Sequence, residues 1–241
     1  LGVALSTRSF ALLDSITEYP ANMSATESQR GRLTRRSIAL KAAELIGADG
    51  LEVFSLRALA KALGVDPAAI YRHYENLDDV LREVADLALR PVTQKFNTTD
   101  DPREDVRRLL IRLRQVLLTS GVARLNVAGP SRHENELRIT EVMLNSFQQL
   151  GLSARDSVTA YHVLIEYTVG SAALDAPLAH SSSERLDTYK RWRTDYKGVD
   201  AHQYPAIAAH ASRLYPSSDR VFITGLDALL AQLLGAAAGT S

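Results

Sequence analysis

The residues best placed to do chemistry lie in one short run, Asp66-Pro67-Ala68-Ala69-Ile70-Tyr71-Arg72-His73-Tyr74. Asp is a good N-cap and Pro suits the first helical position, so the run predicts a short helix over Ala68 to His73. Val65 and Ile70 plug the angle against a preceding helix, which leaves Ala68, Ala69, Arg72 and His73, beside Tyr71, facing outward. A short helix with small residues at its start fits a DNA major groove about 12 Å wide, its N-terminal end meeting base edges. An ordinary corner between two packed helices would use a similar Leu/Ala/Gly pattern. Two features weigh against that reading: the outward face is small and basic-aromatic, and the local charge is lopsided. Between Arg30 and Tyr74 eight cations face four anions, a balance of +4 that the rest of this neutral chain must offset. Such asymmetry suits phosphate contact by one part of the chain and not by the other.

The elements that must hold this run are legible in the caps. Thr34 opens a helix with Ile38, Ala42, Leu45 and Ile46 at three- and four-residue steps, stopped near Asp49-Gly50. Ser55 caps a second (Leu56, Leu59, Ala60, Leu63), in which the small Ala60 allows close approach and Gly64 supplies the positive φ of a tight turn. A fourth helix starts near Asn76 and carries Val80, Leu81, Val84, Ala85 and Leu87-Ala88 until Pro91. The whole segment has a helix–turn–helix layout.

Residues 32–90 resemble the DNA-binding domain of the TetR family of bacterial transcriptional regulators. Leu63-Gly64-Val65 followed by Ile70-Tyr71-Arg72-His73-Tyr74 is similar to the tetracycline-repressor type. The resemblance implies a double-stranded, palindromic DNA operator as partner. It implies that Ser55 and Arg57 touch phosphate or a base, that Pro67, Ala68 and Ala69 face bases, and that Tyr71 and His73 grip flanking phosphates. Arg72 is the residue expected to read a purine through its bidentate fork. Family members commonly carry Lys after the Asn that opens the fourth helix, whereas Leu77 follows Asn76 here. The missing anchor is expected from Arg35, Arg36 or the N-terminal arm.

Three domains are expected: a flexible arm over 1–29, a helix–turn–helix domain over 30–92, and a helical ligand-binding and dimerisation domain over 93–241, after the polar break Asn97-Thr98-Thr99-Asp100-Asp101-Pro102. Met23 is a plausible start site, so the residues before it are read as an over-extension of the frame. Helices are expected at about 102–119, 122–128, 131–150, 153–174, 184–196, 201–213 and from Pro216-Ser217-Ser218 to about 234. No segment alternates with period two, so the fold class is all-α.

In the larger domain, Val158, Tyr161, Ile165, Val169, Ala172 and Ala173 share one stripe, and Phe222, Leu226, Leu229, Leu230 and Leu233 another. Either stripe could be intrachain core. The resemblance implies that the two helices form a homodimer across a twofold axis, with Val158, Ile165, Val169, Ala172, Phe222, Leu226, Leu229 and Leu233 in the interface. It also implies a small-molecule effector, for which His133, Asn135, Arg138, Met143, Phe147, Tyr161, His162, Tyr167, Tyr189 and Trp192 are candidate wall residues. The expected switch is a repressor whose reading helices lose their spacing when the effector binds, the change passing through the helix over 77–90.

Rival readings are weaker. His162 and Glu166 stand at i,i+4, but two potential ligands fall short of a metal site, and no cofactor is expected. Tyr189, Trp192 and Tyr196 interleave with Lys190, Arg191, Arg193 and Lys197, which suits single-stranded nucleic acid or, more simply, one packed aromatic face. G-x-S-x-G, H-E-x-x-H, G-x-G-x-x-G and P-loop motifs are absent, and His133-Glu134-Asn135-Glu136 is too loose to replace them, so an enzyme is not expected. An adaptor that docks protein would need large apolar groove-facing residues, which the run lacks. The chain has no cysteine, which removes disulfides, thiolate zinc sites and thiol nucleophiles. Its 46% hydrophobic and 23% charged residues place it with globular proteins. No run approaches the roughly 18 apolar residues of a membrane span, and a cytoplasmic location without membrane partners is expected.

Overall fold

The computed structural model describes residues 33–120, 131–175 and 182–235, and these contain helices but no strand. The expected arm over 1–29 and the helix near 122–128 lie outside the described residues. By its internal packing the chain divides into two compact units. The first takes the described residues up to Gln94 and those between Ser120 and Arg138; the second takes Lys95–Thr119 and those from Ile139 onward. The break after Gln94 falls close to the expected boundary, whereas the return of the chain to the first unit was not anticipated.

In the first unit, α1 (Arg35–Asp49) is closed by a capping box in which Thr34 and Ser37 satisfy each other's backbone. A single tight turn over Leu51–Val53 leads to α2 (Leu56–Leu63), capped by Ser55, whose Oγ accepts from the Ala58 N–H at 3.2 Å. α3 (Pro67–Tyr71) and α4 (Leu77–Thr93) follow, capped by Asp66 and Asn76. Ile38, Ala39, Ala42, Leu59, Ala60, Ile70, Tyr74, Val80 and Val84 form their shared core. The many alanines let α1 and α4 approach closely, and burial of the larger side chains contributes about 1.5–3 kcal/mol each.

Three expectations need correction. α3 stops at Tyr71, short of the expected His73, where the chain tightens and the His73 N–H bonds the Ile70 carbonyl three residues back (2.9 Å). α4 runs through Pro91 to Thr93. Pro in the last turn forfeits only one ladder bond, while the Gln94 N–H still reaches the Arg90 carbonyl at 2.8 Å and Val92 stays fully buried. The segment near 201–213 is also not one helix but α9 (Pro205–His210) followed by a tight turn over Ala211–Arg213.

The second unit contains α5 (Pro102–Ser120), most of α6 (Glu134–Gln149), α7 (Ala154–Asp175), α8 (Ser182–Tyr196), α9 and α10 (Ser218–Gly235). The polar break supplies its own cap: Asp101 Oδ1 accepts from the Arg103 and Glu104 N–H groups (3.1 and 3.0 Å). Phe147, Leu164, Phe222, Leu226 and Leu230 are among its buried residues, with α7 packed along α10. No helix among the described residues is long and apolar enough to cross a membrane.

Candidate nucleic-acid interface

The turn between α2 and α3 is built on Gly64, whose φ of 67° and ψ of 30° place it in the left-handed region that glycine adopts without cost. The Val65 N–H donates to the Ala60 carbonyl at 3.1 Å and the Gly64 N–H to Lys61 at 3.2 Å, so the end of α2 closes tightly. Asp66 then starts α3: its Oδ1 accepts from the Ala68 N–H and its carbonyl from the Ala69 N–H, both at 2.8 Å. Ile70 is fully buried, which fixes the rotation of α3 about its axis. With Ile70 inward, Pro67, Ala68, Tyr71 and Arg72 are exposed, Tyr71 at 56%, while Ala69 and His73 are half-buried. Ser55 and Arg57 are exposed on the first turn of α2, as is Arg36 on α1. The expected DNA-facing set therefore lies within the first unit, on α1, α2, α3 and the adjoining turns.

Arg35 is placed differently from the rest. Its guanidinium donates to the His73 carbonyl, pairs with Asp79 (3.3 Å) and Glu83 (3.1 Å) on α4, and lies 4.2 Å from the centre of the Tyr74 ring. The Tyr74 hydroxyl returns a bond to the Arg35 carbonyl at 2.7 Å, and burial raises its pKa well above the usual tyrosine range. Arg35 thus ties the exit of α3 to α4. Lys41, another cation of the basic segment, is paired with Glu44.

The effector candidates do not fall in one unit. His133, Asn135 and Arg138 belong to the first: Asn135 bonds Asp86 and Thr93, and Arg138 pairs with Glu134 at 2.7 Å. In the second unit Met143 and Phe147 are fully buried and Tyr161 is half-buried, its hydroxyl 3.0 Å from Thr140. His162 is exposed and packs edge-on against Tyr161. Tyr167 stacks on Phe222 and donates towards the Val221 and Phe222 carbonyls (3.3 and 3.1 Å), over a Gly225 whose lack of a side chain admits the ring. Tyr189, Trp192 and Tyr196 gather around Tyr215, which is the packed-face reading of that triplet. Tyr189 also borders a small pocket of about 20 Å³ with Arg185, Leu186, Ser217, Ser218 and Asp219. That volume is below the ~300–1,000 Å³ typical of small-molecule sites. Burial, then its bond to Asp175, pushes the Tyr189 phenol up to about 12.

Of the proposed dimer stripe, Ala172, Phe222 and Leu226 are already buried within one chain and have almost no surface to offer a partner. Val158 is 51% exposed, and Ile165, Val169, Leu229 and Leu233 are half-buried.

Two buried polar centres escaped the sequence reading. Arg114 of α5 bonds Ser171 (3.0 Å), Asp175 (2.5 Å) and Asp219 (2.6 Å). Asp86 of α4 accepts from the Asn135 and Glu136 N–H groups and the Asn135 side-chain amide, with the Ser131 hydroxyl 3.3 Å away. A signal was present in each case, since both are charges set among core positions, Asp86 between Ala85 and Ala88 and Arg114 between Leu113 and Leu117. Among the described residues no group of three or more metal-binding side chains comes together.

Residues 97–235 match the tetracyclin repressor-like, C-terminal domain, and residues 38–84 match the bacterial regulatory proteins of the tetR family. A protein described as an HTH-type transcriptional regulator from Saccharopolyspora erythraea is 26% identical over 179 residues, 74% of this chain and 75% of the relative. The tetracycline repressor protein class C of Escherichia coli is 26% identical over 156 residues, 64% of this chain and 70% of that protein. The crystal structure of apo ActR from Streptomyces coelicolor shares the fold with a TM-score of 0.76 at 24% identity, covering 88% of this chain and 99% of that one. With matched segments spanning both the reading head and more than half of the chain beyond it, the protein belongs to the TetR family of bacterial transcriptional regulators, which bind DNA and are not enzymes.

Proposed function

We propose that this chain is a homodimeric repressor that leaves a palindromic operator when a small molecule binds its second unit. The observation that carries the reading is the outward face of α3: Pro67, Ala68, Tyr71 and Arg72 are exposed on a helix whose rotation is fixed by Ile70 and whose two ends are tied down. In this reading Arg72 makes the bidentate purine contact, Tyr71, His73, Ser55, Arg57 and Arg36 hold phosphates, and Pro67, Ala68 and Ala69 let the backbone approach the bases. Val158, Ile165, Val169, Leu229 and Leu233 supply the dimer contact, which sets two α3 helices about 34–36 Å apart.

The effector part of the proposal draws on ActR, crystal structures of which hold actinorhodin and (S)-DNPA. A ligand with about 1–3 kcal/mol of preference for a non-binding conformation weakens operator affinity roughly 5- to 150-fold. A gel-shift titration on the DNA upstream of the protein's own gene tests the reading. A discrete complex that survives excess scrambled duplex supports it; equal affinity for the two duplexes contradicts it. Repression rather than activation is tested by deleting the gene and measuring transcription from that region, which should rise.

A further inference from the structure

The start of α6 is held partly from within, since Glu136 Oε2 accepts from the Arg132 N–H at 2.6 Å and from the Ser131 hydroxyl at 2.7 Å, but no short oxygen side chain stands at its N-cap. The Leu137 N–H donates to the His133 carbonyl at 3.0 Å, which makes His133 the N-cap residue, and an imidazole is a poor substitute for the short oxygen side chains that serve there. The first free N–H groups of the helix are satisfied from elsewhere. Asp86, 49 and 50 residues earlier on α4, accepts from the Asn135 N–H at 3.2 Å and from the Glu136 N–H at 2.9 Å. Its carboxylate also takes the Asn135 side-chain amide at 2.9 Å and lies 3.3 Å from the Ser131 hydroxyl. The residue is 4% exposed, and three N–H donors hold its carboxylate, the Ser131 proton going to Glu136 at 2.7 Å, with the positive end of the α6 dipole adding to them. Thr93, two turns on along α4, bonds the Asn135 side-chain oxygen at 2.8 Å and doubles the attachment.

Asp86 shares a face of α4 with the two carboxylates that hold the reading head, since Asp79, Glu83 and Asp86 follow at steps of four and three. Asp79 and Glu83 grip Arg35, which grips the exit of α3; Asp86 grips the start of α6 roughly 5 Å beyond Glu83 and 10 Å beyond Asp79 along the helix, at 1.5 Å per residue. One rod thus carries an ionic clasp for the reading helix and a capping clasp for α6. We infer that Asp86 is a positioning residue for operator binding: by capping α6 from α4 it fixes the α4 rod, and through the Arg35 clasp the seat of α3. This rests on the operator reading above and names the residue through which that site is held.

The experiment uses the full-length dimer, its upstream duplex and amide hydrogen exchange over residues 131–140, in wild type, Asp86→Asn and Asp86→Asn/His133→Ser. Serine at 133 gives α6 a local cap without restoring the attachment to α4. Asp86→Asn is expected to lose about tenfold or more of the protection at Asn135 and Glu136, as charge-assisted bonds are removed. It is also expected to lose about 3- to 30-fold in operator affinity, the range seen for coupling positions remote from a ligand. Affinity for scrambled duplex at low salt should stay the same, because the phosphate-facing residues are untouched. In the double variant the protection should return and the operator affinity should not. If the local cap restores both, Asp86 is only a cap and the inference is overturned; operator affinity unchanged in Asp86→Asn overturns it too. Should the single variant fail to fold, the double variant carries the same comparison against wild type. Wild-type protein that prefers no upstream duplex would overturn the operator reading and this inference together, an outcome distinct from the other two.

Discussion

Arg35→Met separates an internal tie from a phosphate anchor at the position where sequence and structure point in different directions. Methionine keeps an apolar stem beside Tyr74 and deletes the guanidinium that holds the His73 carbonyl, Asp79 and Glu83. The Arg35 side chain is 42% exposed and its partners 23% and 16%, so each ion pair is credited with only about 0.2–1 kcal/mol. The charged bond to a carbonyl adds about 1.5 kcal/mol at the lower end of its range, since solvent shares the guanidinium. The total is about 2–3.5 kcal/mol, a shift of about 1–1.8 M in urea midpoint at an m-value near 2 kcal/mol/M. The assay is urea unfolding at fixed protein concentration, paired with operator titrations at several salt concentrations. An internal tie predicts that destabilisation with an unchanged salt slope. A loss below about 0.5 kcal/mol together with a slope reduced by about 0.9 per contact would show that Arg35 sits on phosphate and would refute the reasoning.

Other substitutions test other parts of the account. Arg72→Ala should cost about 1–3 kcal/mol at the operator and relax preference at one base pair per half-site, read by titrating duplexes substituted at each position. Gly225→Ala places a methyl carbon 2.7 Å from the Tyr167 ring carbon Cζ, so it should destabilise by about 1–3 kcal/mol. In a Tyr167→Leu background the same change should instead stabilise by up to about 1 kcal/mol through helix propensity, which thermal unfolding of the four proteins would show. Arg114→Ala strands Asp175 and should cost about 3–5 kcal/mol in urea unfolding, part of it recovered by adding Asp175→Asn. For Tyr189 the folded pKa is raised to about 12 from a usual 10. The unfolded chain therefore releases this proton first, so the stabilisation is present below pH 10 and fades as pH rises towards 12. Tyr189→Phe should flatten that part of the stability profile, while difference absorbance of the phenolate places the midpoint.

The part of the fold legible in the sequence is local chemistry. Thr34, Ser55, Asp66 and Asn76 each announce a helix through a side-chain oxygen reaching two or three residues ahead, and Gly64 announces the turn. Those signals fix the helix starts and the α2–α3 turn because each bond joins residues two to five apart, whereas the Arg35 clasp, 38 to 48 residues apart, was not legible. Pro91 shows the limit of the same logic, since a proline in a final turn costs little when Val92 beyond it is buried. The Asp86 attachment joins residues 45 to 50 positions apart, and the Arg114 cluster joins α5 to residues 57 to 105 positions away. Pairing at that distance depends on how helices pack, and a lone charge in an apolar stripe tells only that a partner must exist. The aromatic triplet on α8 met the same limit: Tyr215, the ring that completes it, arrives from a turn 19 residues after Tyr196.

Footprinting of the purified protein on the DNA upstream of its own gene tests the central claim most directly. The account predicts protection of two inverted half-sites whose centres lie one helical turn or a multiple of it apart, lost at matched concentration with Arg72→Ala. Uniform protection along the fragment, or a footprint that Arg72→Ala leaves intact, would contradict it.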